Sequence, residues 1–178
     1  AKGYEAFLDL SVQLSSNRLL RNYLGLGHGW QRSRSIQAQL YWRTAPVTRA
    51  GGRGKPSHTK VKCMEHAAVL QTSVSVLAIE IVTGRQHQIR SHCAHVGHPL
   101  VRDGKYSSLA TYAADLAIST HNCLHRYCLG FYDLEGSRHN VTSPLNTEFA
   151  SVLEQLRRKD NAGRRSDLQW LREEWSSL

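Results

Sequence analysis

The sequence is poor in the features that mark membrane, fibrous and disulfide-bonded proteins. No apolar run approaches the roughly 18 residues of a membrane-spanning helix, so no membrane partner is expected. Glycine and proline occupy only 17 of the 178 positions, which argues against collagen-like repeats and wholesale disorder. The four cysteines lie far apart, and the first residues lack the basic and apolar regions of a signal peptide. We therefore expect an intracellular protein in a reducing compartment, whether cytoplasm, nucleus or organelle.

Acidic side chains are absent from a long part of the chain. Neither aspartate nor glutamate occurs from residue 10 to residue 64, and residues 1–90 carry the whole formal charge of +9. A solvated surface normally mixes both signs, whereas an acid-free stretch suits a polyphosphate, because each neutralised phosphate releases counterions. Nucleic acid is therefore the favoured partner, with an ordinary basic protein or a segment that docks on an acidic partner as alternatives. The cations of this stretch are Arg18, Arg21, Arg32, Arg34, Arg43, Arg49, Arg53, Lys55, Lys60 and Lys62.

Hydrophobic periodicity predicts an α+β domain with a mixed, mainly antiparallel sheet that helices flank. Strands are predicted over residues 21–26, 36–42, 59–63, 74–82 and 124–132, and helices over residues 5–15, 86–96 and 149–156. The segment 74–82 is apolar on both faces, which is typical of a central strand. Residues 100–122 have no regular pattern. We place one domain at residues 1–156 and a basic C-terminal extension with a short helix at residues 157–178.

The densest group of reactive side chains lies in residues 83–106, TGRQHQIRSHCAHVGHPLVRDGKY. A strand is expected to end at Thr83-Gly84, and the helix that follows presents Arg85, His87 and Arg90 in its first turns. The N-terminal end of a helix favours anions, because its free N–H groups and its dipole are positive there. A guanidinium at this place can bind phosphate or hold a carboxylate in a fixed geometry. This segment is therefore the candidate site.

Two other kinds of site use the same residue types. A zinc site could draw on Cys93 and several histidines, but no second pair of ligands has a recognisable spacing, so no metal is expected. A Ser–His–Asp or Cys–His hydrolase finds no G-x-S-x-G elbow to support it. We expect some of these histidines to cap, to pack or to hydrogen-bond the backbone; they are His87, His92, His95 and His98.

One long motif runs through this segment, T-G-R-x-H-Q-I-R-x-H…H-x-G-H-P-[IVL]-x-x-D…Y, from Thr83 to Tyr106. It resembles the signature of the RluA-type RNA pseudouridine synthases. The resemblance extends over residues 1–156, since Arg21-Asn22-Tyr23-Leu24 resembles the family's K-x-Y-L strand. In the same way, Gly54-Lys55-Pro56-Ser57-His58-Thr59 resembles its G-K-x-A-x-T strand entry.

This resemblance implies a pseudouridine-synthase-like catalytic domain that isomerises uridine to pseudouridine in structured RNA, either rRNA or tRNA, without a cofactor or a metal. In that reaction an aspartate attacks a flipped-out uridine, the glycosidic bond breaks, the base rotates and a carbon–carbon bond forms. By position, Tyr23 is the tyrosine that packs on the flipped base, and Arg90 pairs with the catalytic carboxylate. The residues expected to contact RNA are Arg85, His87, Ile89, Lys60, Lys62, Arg53 and Lys55.

The family's nucleophile has no counterpart among these residues. In the family an H-R-L-D-x-x-T-S-G stretch lies shortly before an A-K pair, which here is Ala1-Lys2, and none of the six aspartates has that context. One explanation is a longer enzyme whose preceding segment carries the aspartate. Arg90 would then lack its carboxylate partner here, and the 178-residue polypeptide alone would be inactive. The other explanation is a noncatalytic RNA-binding protein, a structural or assembly component of a ribonucleoprotein.

Overall fold

The computed structural model describes residues 2–41, 48–52 and 54–158. Within these ranges the helices are α1 (Tyr4–Ser15), α2 (Gln88–His95), α3 (Leu109–Ala114) and α4 (Thr147–Glu154), with a 3-10 turn at Asp115–Ala117. The strands are β1 (Leu20–His28), β2 (Arg34–Gln37), β3 (Gln39–Tyr41), β4 (Arg49–Gly51), β5 (His58–Val69), β6 (Thr72–Ile81), β7 (Leu124–Tyr132), β8 (Arg138–Thr142) and β9 (Arg157–Arg158). The short helix expected near the C-terminus lies outside the described residues.

A seven-stranded sheet organises the chain. Its strand order is β2-β5-β6-β1-β7-β8, with β9 pairing β5, while β3 and β4 form a separate hairpin. The α+β prediction with a mainly antiparallel sheet is confirmed, and every strand pair in the described ranges is antiparallel. β6 lies between β5 and β1 with residues 74–79 buried, as expected of a strand that is apolar on both faces.

The two faces of this sheet pack against different helices. On the face that we call the α4 face, Leu24 and Ala78 share an apolar cluster with Phe149 of α4. On the opposite face, the α2 face, Ile79 shares a cluster with Ile89 of α2. Because side chains alternate along a strand, neighbouring residues of β1, β5 and β6 fall on opposite faces. This alternation decides which predicted site residues can meet.

Three differences from the predicted elements have local causes. The segment predicted as one strand over residues 36–42 divides into two, because β2 pairs with β5 whereas β3 pairs with β4. Helix α2 begins at Gln88 rather than at Gln86, since His87 adopts a left-handed backbone conformation with φ 51°. The segment predicted to be irregular contains α3, which Ser108 caps by accepting a hydrogen bond from the Thr111 N–H.

The sheet also extends past residue 156, where the sequence-based domain ends. Strand β9 pairs with β5 through Ala67 and Ala68. All four cysteines are free thiols. In the ranges that the structure describes, no helix is long and apolar enough to cross a membrane.

Candidate active site

Helix α2 is fixed to the sheet through a buried glutamine. The Gln88 side-chain amide donates to the His58 carbonyl oxygen at 2.9 Å and to Thr59 Oγ1 at 3.0 Å. Its oxygen accepts from Thr83 Oγ1 at 2.8 Å and from the Arg85 N–H at 3.2 Å. Gln88 thus connects three segments through hydrogen bonds: the residues after β6, the start of β5 and the first turn of α2. Gln88 stands inside the HQIR motif but was not among the predicted site residues.

Arg90 forms a two-point ion pair with Asp103. Nε lies 2.8 Å from Asp103 Oδ2 and Nη2 lies 2.5 Å from Oδ1. The Asp103 carboxylate is fully buried, whereas the Arg90 side chain is 23% exposed. Hydrogen bonding to this carboxylate raises the pKa of Arg90 above its usual value, although burial acts in the opposite direction. The guanidinium is therefore charged and held in one orientation.

Arg90 thus has a carboxylate partner within this chain, although Asp103 is not the family's nucleophile, which stays a prediction for another segment. The Asp103 oxygens are engaged, because Oδ1 also accepts from the Lys105 N–H at 3.2 Å. The Asp103 carbonyl oxygen accepts from the Tyr106 and Ser107 N–H groups, so Asp103 also shapes the loop after His98-Pro99. Arg90 keeps one edge open, since its Nη1 makes no hydrogen bond within the described part of the chain.

Tyr106 covers the other side of Arg90. Its ring centroid lies 5.1 Å from the Arg90 guanidinium carbon, within the range of a cation–π contact. The Tyr106 hydroxyl accepts from the Thr48 N–H at 3.0 Å and lies 3.1 Å from His87 Nδ1. Burial, and then the positive charges of Arg90 and Lys105, lower the pKa of His87. These effects favour the neutral imidazole of His87, and arginine supplies the fixed positive charge of the site.

Tyr23 and Ile89 lie together on the α2 face. Tyr23 is half-buried on β1, opposite Ile79 of β6, and packs on the same apolar cluster that contains Ile89. Ile89 is 5% exposed and precedes Arg90 directly. The structure thus places the aromatic ring of Tyr23 and the aliphatic side chain of Ile89 at the same apolar cluster. Ile89 is the neighbour in sequence of Arg90, whose guanidinium is fixed.

Arg21 and Arg126 flank Tyr23 on the same face, and a third arginine, Arg85, acts on Arg21 through its charge. Arg126 of β7 is the register partner of Tyr23, and Arg21 lies two residues earlier on β1. Burial lowers the pKa of Arg21, and the positive charges of Arg126 and Arg85 lower it further against the attraction of Tyr23. Within the described ranges, no carboxylate forms an ion pair with any of these three arginines. Arg21 and Arg126 were not predicted as site residues.

The lysines predicted to contact RNA lie at two other places in the structure. Lys60 pairs with Glu80 at 3.2 Å, and Lys62 stands opposite Ala78, so both belong to the α4 face, across the sheet from Tyr23. Lys55 lies beside the β3–β4 hairpin, where its N–H donates to the Leu40 carbonyl oxygen, and this hairpin contacts α2. Arg53 lies outside the described residues.

The histidines of the motif hold the backbone in place. His92 is buried, with Nδ1 2.9 Å from Thr59 Oγ1 and Nε2 3.2 Å from the Ala38 carbonyl oxygen. His98 Nδ1 lies 2.8 Å from the His28 carbonyl oxygen. In the part of the chain that the structure describes, no three side chains of His, Cys, Asp or Glu come together as metal ligands do.

Comparisons with known proteins identify relatives of this chain. The RNA pseudouridylate synthase family model matches residues 1–95, which is more than half of the chain. The chain is 31% identical over 169 residues to the ribosomal large subunit pseudouridine synthase C of Yersinia pestis, covering 89% of this chain and 51% of that protein. It is 29% identical over 174 residues to the protein of the same name from Pasteurella multocida, covering 91% of this chain and 51% of the relative.

A solved structure shares the fold. Human RNA Pseudouridylate Synthase Domain Containing 1 superposes with a TM-score of 0.80 at 21% sequence identity, over 100% of this chain and 74% of that one. The chain spans about half the length of the curated relatives it matches. Because the family model covers residues 1–95 and includes Tyr23, Arg85, Ile89 and Arg90, the chain belongs to the RNA pseudouridylate synthase family.

Proposed function

We propose that this chain belongs to an enzyme that isomerises uridine to pseudouridine in structured RNA, and that the α2 face forms the uridine side of its active site. The observation that carries the proposal is the Arg90 guanidinium, which buried Asp103 holds at Nε and Nη2 and which makes no hydrogen bond at Nη1 within the described ranges. The preceding residue, Ile89, belongs to the apolar cluster on which Tyr23 packs. The names of the relatives support ribosomal RNA as the substrate rather than tRNA.

The side chains of the α2 face suit a uridine base that has flipped out of an RNA helix. A stacked and paired uridine hides its reacting atoms, so the enzyme must flip it out and give it a new surface to pack on. Tyr23 supplies a half-buried ring for this purpose, and Ile89 supplies an aliphatic neighbour. The basic surroundings attract the phosphates that flank the base.

The attacking carboxylate has to come from another part of the enzyme than Asp103. Asp103 is buried, and both of its oxygens already accept hydrogen bonds from Arg90. We propose that the nucleophile meets the open Nη1 edge of Arg90, where a fixed positive charge would keep it ionised and aimed. Arg90 would thereby stabilise two carboxylates, one structural and one catalytic.

The test replaces Arg90 with glutamine in the full-length enzyme and measures both pseudouridine formation and RNA affinity. We expect turnover to fall by about a hundredfold or more, as when a fixed active-site donor is lost. RNA affinity should change little, because phosphate contacts are spread over many cations. The matched control is Arg157→Gln, which removes the same charge at the far end of β5. Equal losses of affinity and turnover would make Arg90 a phosphate ligand instead.

A noncatalytic RNA-binding protein is the second candidate, and the engagement of both Asp103 oxygens favours it. Such a protein would bind RNA with an affinity that falls steeply with salt, and it would leave every uridine unchanged. Mapping of pseudouridine in ribosomal RNA from cells with and without the protein separates the two candidates. Loss of one modified position without the protein supports the enzyme, and an unchanged map supports the binding protein.

A further inference from the structure

Arg21 is a buried cation without a counter-charge among the described residues. Its relative exposure is 5%, and Nη2 donates to the Val82 carbonyl oxygen at 3.0 Å. Its Nε is buried and has no hydrogen-bond partner in the part of the chain that the structure describes. Arg90, on the same face of the sheet, has a carboxylate that neutralises it, whereas Arg21 has none within the described ranges. Because an unpaired buried charge is costly, such a group is normally completed by an anion.

Two more arginines lie near Arg21. Arg126 is exposed and stands opposite Tyr23, so its side chain lies on the α2 face. Arg85 follows Gly84, and its buried Nε has no hydrogen-bond partner among the described residues either. Gly84 brings the backbone close to Arg21, because a Cβ added there would lie 2.3 Å from Arg21 Nη1. The positive charges of Arg126 and Arg85 both act unfavourably on Arg21, so the arrangement favours bound anions.

We propose that Arg21, Arg85 and Arg126 bind backbone phosphates of the RNA strand that flank the uridine held on Tyr23. The proposal rests on the proposed function, since it needs an RNA strand at the α2 face. Guanidinium groups suit phosphate because two parallel N–H groups match two of its oxygens. Phosphate contacts of this kind fix the register of the strand, while the base is recognised separately.

The gradient of exposure favours a nucleic acid strand over a protein carboxylate. Arg21 is buried, Arg85 is half-buried and Arg126 is exposed, so the three cations extend from the interior to the surface. A strand with successive phosphates can neutralise all three charges along this path. A single carboxylate, seated against the buried Arg21, would leave the exposed Arg126 without a counter-charge.

The experiment measures RNA affinity at several salt concentrations. The full-length protein binds a fluorescein-labelled ribosomal RNA hairpin with uridines in its loop, and the slope of log affinity against log salt counts the phosphates neutralised. For Arg126→Gln, the exposed member, we expect this slope to become shallower by about 0.7 to 0.9, which corresponds to one lost phosphate contact. Arg157→Gln, which removes the same charge from β9, should keep the wild-type slope.

A second variant tests the position of Arg21 without removing a charge. Gly84→Ala places a methyl group 2.3 Å from the present position of Nη1, and the flexible guanidinium can move away from it. We expect the slope to become shallower although the formal charge is unchanged. If Arg126→Gln and Gly84→Ala both keep the wild-type slope, the phosphate site is refuted. If they keep the slope and Arg126→Gln lowers Tm, the anion is a protein carboxylate and the proposal is equally wrong.

The outcomes also separate this site from the proposed function. A wild-type protein that forms pseudouridine while both variants keep its salt slope refutes the phosphate site alone. A wild-type protein that leaves every uridine unchanged, with variants of shallower slope, refutes the enzymatic function and supports the phosphate site.

Discussion

Replacing Asp103 with asparagine tests the ion pair that orients Arg90. Asparagine keeps the size of the side chain and removes its negative charge. The carboxylate is fully buried, and it accepts from Arg90 at 2.8 and 2.5 Å and from the Lys105 N–H at 3.2 Å. The Asp103→Asn variant therefore leaves a largely buried guanidinium without a counter-charge, and one of its donors then faces an amide N–H₂ group.

The expected loss of stability follows from burial. Removing one partner of a buried ion pair costs about 3–5 kcal/mol, mainly because the other charge is left unpaired. The Arg90 side chain is 23% exposed, so water recovers part of this loss, and we expect the lower end, about 3 kcal/mol. For a domain of this size, that loss lowers Tm by about 6–12 °C.

Urea unfolding followed by circular dichroism measures the change. The midpoint should fall while the slope m stays constant, since the surface exposed on unfolding is unchanged. The matched control is Glu135→Gln, which removes the same charge from an exposed turn. A difference of less than about 0.5 kcal/mol between the two variants would refute the argument, because substitutions of that size are typical of exposed surface sites.

Three further predictions concern buried groups of the same domain. Burial raises the pKa of Cys93 to about 12 and of Cys123 to about 11, so iodoacetamide should alkylate neither thiol at pH 8 until urea unfolds the protein. Because the pKa of His87 is lowered, its NMR titration midpoint should lie below about 6.5. The stability that the neutral His87 contributes to the folded state should be lost as the pH falls below about 6.5, because the unfolded state takes up the proton first. Gln88→Leu should cost about 2–4 kcal/mol in urea unfolding, because it removes four hydrogen bonds at a buried position and takes from the Arg85 N–H its acceptor, whereas Gln86→Leu on the exposed side should cost less than about 0.5 kcal/mol.

The elements that the sequence predicts well are those whose pattern is local. Helix α1 and strand β6 were expected over residues 5–15 and 74–82, and they form at Tyr4–Ser15 and Thr72–Ile81. Helix α1 shows a helical period and β6 a continuous apolar run, and both signals depend only on near neighbours in the chain. Strand β8 gave no such signal, because all five of its residues are exposed and it forms only by pairing with β7.

The candidate site could be predicted only in part, because its geometry depends on contacts between distant segments. The motif identifies Arg90 and Ile89, and the strand pattern shows that Lys60 and Lys62 share a face. Which face they share depends on how β5 and β6 pair, and that pairing places both lysines away from α2. The cluster around Tyr23 likewise depends on the register of β1 with β7, including a bulge that no local pattern encodes.

A double substitution would show what the Arg90–Asp103 pair contributes to stability and what it contributes to catalysis. If most of the cost of Asp103→Asn is an unpaired charge, then adding Arg90→Gln removes that charge and recovers stability. We expect the double variant to be about 1–3 kcal/mol more stable than the sum of the two single changes predicts. Pseudouridine formation should not recover, because the open Nη1 edge that faces the proposed nucleophile is also gone. Additive losses of stability would mean that Asp103 acts through the loop it shapes rather than through Arg90, and the fixed guanidinium could no longer be ascribed to this ion pair.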